Sequence, residues 1–128
     1  MAFPPVVFAN LPDGLNPLSL FDLMFGAVLG SSPTIITSGA SYTVLSTDSR
    51  ILVNKTIGSA TSIVFPVASA IGYSVLVKDL KGDAFTNNIT ITFTGGQRAD
   101  GLSSVPISTN YGAYWFTPKS GGFYINTG

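Results

Sequence analysis

The run "NITITFT", residues 88–94, alternates without a fault: Ile89, Ile91 and Phe93 fall on one side of an extended chain, and Thr90, Thr92 and Thr94 on the other. A period of two is a strand with one dry face and one wet face, and no helix can be wound from it without mixing the two. Seven more runs of this kind occur, "SYTVLS", "RILVN", "TSIVFP", "YSVLVKD", "VPIST", "AYWFT" and "GFYIN", separated by Gly, Asp, Asn, Ser or Pro. The pattern predicts a mostly β protein: an antiparallel β-sandwich or jelly-roll-like module over residues 33–128. Parallel neighbours usually need a crossover helix, and this stretch offers none.

Residues 1–32 read differently. "FPPVVFA" predicts an extended N-terminal arm, because its prolines fix φ and lack a donor, and "LPDG" predicts a turn. One short apolar helix follows in "NPLSLFDLMFGAVLG", with Asn16 as N-cap, Pro17 at the first helical position, and Gly30 and Pro33 as the stop. Its apolar residues run around every side, leaving only Ser19 and Asp22 polar. Such a helix needs partner surfaces on more than one side. The expected attachment or subunit-interface residues are therefore Phe3, Val7, Phe8, Leu18, Phe21, Met24, Phe25 and Val28.

Charge points the same way. Only 9% of the 128 residues are charged, against about a quarter in ordinary soluble domains, so a lone monomer covers its surface poorly. The six cations are scattered singly and the formal net charge is zero, which predicts no nucleic-acid partner. The apolar run at 17–29 is shorter than the roughly 20 residues a bilayer span requires and lacks the positive flank of a signal peptide, so no membrane partner is expected. With no cysteine there is no disulfide framework, and the fold must rest on packing.

The chain carries no His, no Cys and no Glu, which removes the usual general bases, soft metal ligands and paired carboxylates. We expect no enzyme and no cofactor. A Ser–Lys pair is conceivable, but Lys55, Lys78, Lys81 and Lys119 lie at strand ends and read as solvated edge charges. In "KDLKGDAFTNN", Asp79, Asp83, Asn87 and Asn88 around Gly82 offer hard oxygens for calcium, although the spacing matches no EF-hand and the same residues are ordinary turn formers. The turn reading is preferred, and no metal site is assigned. The sequons at Asn54 and Asn88 are discounted because nothing in the sequence marks a secretory route. Late aromatics, Tyr111, Tyr114, Trp115, Phe116, Phe123 and Tyr124, divide between core, intersubunit contact and a sugar-stacking platform; alternation puts Tyr114 and Phe116 on one face and Trp115 on the other.

The sweep "SYTVLSTDSRILVNKT", "SIVFP", "YSVLVKDLKGDAFTNNITITF", "DG" and "ISTNYGAYWF…FYI" resembles a β-module of bacteriophage virion proteins, among them head fibres, capsid decoration (cement) proteins and tail-fibre segments. The leader "FANLPDGLNPLSLFDLMFGAVLG" resembles the attachment segment of phage structural proteins. The resemblance implies a homotrimeric appendage, made in the host cytoplasm and carried on the particle surface against the major capsid protein or another virion protein. Here the leader joins the module almost directly, without the longer shaft usual in fibres, and this favours a compact knob. The alternative is a tail-fibre or receptor-binding tip that recognises host surface glycans through loops such as "TGGQRADG" and "STNYG". Its candidate contacts are Arg98, Asp100, Asn110 and Tyr111.

Overall fold

The computed structural model describes residues 32–127. The alternation becomes strands where it was clearest. Residues Thr61–Phe65, Val75–Asp79 and Ile89–Phe93 place every second side chain inward, with Ile63, Phe65, Val75, Val77, Ile89 and Ile91 buried. Ten strands form in all among the described residues: β1 (Thr34–Ile36), β2 (Ser41–Thr43), β3 (Arg50–Val53), β4 (Thr61–Phe65), β5 (Val75–Asp79), β6 (Ile89–Phe93), β7 (Arg98–Ala99), β8 (Ser104–Ile107), β9 (Ala113–Lys119) and β10 (Gly122–Thr127). Helical structure in this region is one short 3-10 turn, Ala68–Ala70.

The strands make two mixed sheets, six strands in the order β1-β3-β5-β9-β10-β7 and four in the order β2-β4-β6-β8. The purely antiparallel expectation is therefore corrected. β1 pairs parallel with β3 and β3 with β5, while β2 pairs parallel with β4 and β4 with β6. From β1 to β6 the chain alternates between the sheets, so each parallel crossover is made by a strand of the other sheet. No helix is needed for that. Antiparallel pairing appears only later, where β9 meets β5, β8 meets β6, and the β9–β10 hairpin closes through Ser120 and Gly121, the latter at φ +79°. At Gly122 a side chain would run into the Arg98 carbonyl of the parallel neighbour β7, so the close approach of β7 depends on glycine there.

Both sheets contribute to one hydrophobic cluster. Phe65 and Phe93 of the four-stranded sheet interlock with Phe116 and Phe123 of the six-stranded one, with Phe65 at 5.0 Å from Phe116 and 5.1 Å from Phe123 between ring centroids. Ile, Val and Ala fill the rest. As alternation predicted, Phe116 is fully buried and Tyr114 packs against the core from the same side, while Trp115 takes the opposite face. The outer face of the four-stranded sheet carries Ser41, Thr43, Ser62, Thr90, Thr92 and Ser104, the wet half of the pattern.

The expected extended arm, the helix at 17–29, and the attachment residues Phe3, Val7, Phe8, Leu18, Phe21, Met24, Phe25 and Val28 lie outside the described residues.

Candidate binding surface at the loop end

Strand direction gives the module two distinct ends. Because β1, β3 and β5 run one way and β2, β4 and β6 the other, segments 37–40, 54–60 and 80–88 gather at one end, and the antiparallel pairing of β8 with β6 and of β9 with β5 brings 108–112 to it as well. Ser32 and segments 44–49, 66–74 and 100–103 gather at the other. The near end, where Ser32 leads into β1, exposes Leu45, Val67, Tyr73 and Leu102. The far end exposes Ile57, Leu80, Phe85 and Tyr111.

At the far end, one buried carboxylate organises two loops. Asp79 closes β5 and is 1% exposed; its Oδ1 accepts the Gly82 N–H at 2.9 Å, and its Oδ2 accepts those of Ala84 at 2.8 Å and Tyr111 at 3.0 Å. Three backbone donors therefore stand where a counter-ion would. The Asp79 N–H in turn donates to the Gly112 carbonyl at 2.9 Å. A second tie runs from the Phe85 N–H to Asn110 Oδ1 at 2.9 Å, and a third from Lys78 Nζ to the Tyr111 carbonyl at 2.8 Å.

These ties hold Tyr111 at φ +63°, in the left-handed region that costs a bulky residue free energy. Its ring rests against Gly82, itself at φ +88°, where any side chain would overlap the phenol. Tyr111 is nonetheless 60% exposed and Phe85 is 78% exposed. Two aromatic rings are thus presented on a braced loop pair. Asn110 borders them with a free amide face, and Asp83, paired through Oδ2 with Asn87 Nδ2 at 2.8 Å, lies in the same loop.

In "KDLKGDAFTNN" the distances show turn hydrogen bonds at two of the positions considered for calcium. The Asp79 oxygens face N–H donors, and an Asp83 oxygen faces an amide. Among the described residues no group of three or more His, Cys, Asp or Glu side chains is placed to hold a metal. None of their helices is long and apolar enough to cross a membrane.

The four expected loop contacts do not form one surface. Asn110 and Tyr111 belong to the far end, whereas Arg98 and Asp100 lie at the near end, where β7 pairs with the start of β10. There Asp100, at φ +48°, accepts the Ile125 N–H at 3.2 Å, and Arg98 Nη1 donates to the Gly101 carbonyl at 3.3 Å. Phe85 was missed as a site residue; the only sequence signal was a lone aromatic inside a polar turn.

Lys55 corrects a second expectation. It is no solvated edge charge: it is 3% exposed, and its ammonium donates to the carbonyls of Gly39 at 2.8 Å and Ala60 at 3.0 Å. The aliphatic stem packs inward while the head staples segment 37–40 to segment 54–60. A cleft of about 430 Å³ opens beside it, lined by Thr37, Ser38, Thr56, Ile57 and Ser59. The ammonium is committed to carbonyls and offers no free nucleophile.

No protein-family model matches this chain, and no curated protein matches it.

Proposed function

We propose that the chain is a bacteriophage virion structural protein: a homotrimeric capsid decoration protein of cement or head-fibre type that binds and stabilises the major capsid shell. The supporting observation is the near end of the module, where Leu45, Val67, Tyr73 and Leu102 stand exposed around the point at which Ser32 leads into β1. An apolar end of that kind is suited to lie on a partner surface. The phage-like blocks of sequence, the sparse charge and the missing His, Cys and Glu agree with a role in packing and not in catalysis.

A second reading, a receptor-binding tip, is favoured by Phe85 and Tyr111, which stand exposed at the end opposite Ser32. The two are separated by comparing particles made with and without the protein. A decoration protein that binds only the assembled shell stabilises it by RT ln(1 + [L]/Kd), about 2.7 kcal/mol per site at a hundredfold excess over Kd. Particles lacking it should then rupture at lower temperature. Unchanged thermal stability with lost adsorption to host cells would replace the decoration reading with the tip.

A further inference from the structure

We infer that the far end holds a saccharide-stacking site built on Tyr111 and Phe85, with Asn110 at its rim, and that it takes neutral hexose or N-acetylhexosamine units. The inference rests on the receptor-binding reading for the biological source of the sugar. Its test needs no particle, so each can fail without the other.

The argument begins with what holds Tyr111. A non-glycine residue at positive φ persists only where its surroundings over-determine it, and here Asp79 holds the N–H, Lys78 holds the carbonyl, and Gly82 provides the only kind of surface on which the ring can rest. Packing alone does not account for the result. Strain spent on burying a ring would leave it buried, yet more than half of Tyr111 stays open to solvent. Phe85 has no polar atom to repay its exposure, and its backbone is tied to Asn110, the residue before Tyr111. Two rings are therefore held out of the core at one place by hydrogen bonds that fix their backbones in advance of any ligand.

The ligand class follows from the rim. A sugar ring has an apolar C–H face and an edge of hydroxyls, so it is matched by an aromatic surface with a hydrogen-bonding group such as an amide beside it. Asn110 keeps its amide donors after its oxygen takes the Phe85 N–H. Formal charge in this loop pair cancels, since Lys78, spent on the Tyr111 carbonyl, and Lys81, whose ammonium reaches toward the Thr56 carbonyl at 3.5 Å, balance Asp79 and Asp83. Neither an anion nor a nucleic acid is selected by such a rim. A small number of polar groups around an apolar floor is the usual make-up of a small-ligand site.

Saturation-transfer NMR of the full chain against a panel of neutral hexose and N-acetylhexosamine oligosaccharides tests this. At about 10 mM saccharide a site with Kd near 1 mM is almost filled. Tyr111→Asn removes the ring but keeps a residue that tolerates positive φ, and Phe85→Ala removes a side chain that is almost wholly exposed. Each should weaken binding about tenfold or more, which corresponds to about 1.4 kcal/mol, with the melting temperature little changed. Tyr111→Phe should bind as the parent does. Absence of saturation transfer from every member of the panel would overturn the inference, and so would binding that survives both ring-removing variants.

Discussion

Asp79 Oδ2 accepts the Tyr111 N–H at 3.0 Å across 32 positions of sequence, joining the two loops that make the far end. The same carboxylate also satisfies Gly82 and Ala84, so it acts as a buried acceptor for three donors. Asp79→Asn would keep the size but turn an NH2 group toward backbone N–H groups. A lost charge-assisted bond and a stranded buried donor should together cost about 3 kcal/mol. The expected outcome is a lower denaturant midpoint at unchanged slope, with amides of 80–88 and 108–112 losing exchange protection first. Parent-like stability would mean that the loops are held by something else.

Asp48 plays a comparable part at the near end. It accepts from Thr34 Oγ1 at 2.6 Å, from the Tyr42 hydroxyl at 2.7 Å and from the Leu45 N–H at 2.8 Å, tying β1 and β2 to the turn between β2 and β3. Burial, and then the hydrogen bond to the Asp48 carboxylate and its charge, push the Tyr42 phenol from 10.0 up to about 12. A raised value means that the folded state prefers the neutral phenol. The contribution of Tyr42 is therefore complete below pH 10 and disappears as pH climbs through about 12. Absorbance titration should reveal a late-ionising tyrosine, and Asp48→Asn should bring it down toward its ordinary range. A titration free of any late phenol would remove the Asp48 link.

How much of this was written in the sequence depends on which physical signal carries each feature. Alternation tells which face a side chain takes, so Ile89 against Thr90 and Phe116 against Trp115 were legible. It does not say which strand lies alongside. β1 and β7, three and two residues long, are too short to show a period, and parallel pairing was discounted because the crossover strand in the opposite sheet leaves no local mark. The hub at Asp79 was hidden for another reason: its partners are backbone donors, which every sequence possesses. Lys55 was misread because a strand-end lysine looks alike whether its head meets water or the carbonyls of Gly39 and Ala60.

Phe65 is the contact through which the two sheets share their aromatic core, touching Phe93, Phe116 and Phe123 with centroid separations of 5.8, 5.0 and 5.1 Å. Phe65→Ala leaves a cavity bounded by three rings that cannot all collapse inward, and should cost about 3–5 kcal/mol by denaturant titration. Phe93→Ala, at a residue only partly buried, should cost less. Equal losses at the two positions would contradict the placement of Phe65 at the centre.

Thr61 offers the opposite sign. It opens β4 with its side chain among the buried residues, and its N–H is satisfied by the Asn88 carbonyl at 3.1 Å. Its hydroxyl has no hydrogen-bond partner. Folding therefore strips water from a polar group and returns nothing, a cost on the order of 1–3 kcal/mol. Thr61→Val keeps the β-branch that suits a strand and exchanges the hydroxyl for a methyl group in contact with an apolar surface that includes Ile89, its register partner on β6. Stability should rise by about 1 kcal/mol, less than the full desolvation cost because a methyl fits the space imperfectly. For a domain of this size that is a gain of a few degrees in melting temperature. A fall in stability on this exchange would show that the Thr61 hydroxyl is bonded in the folded protein.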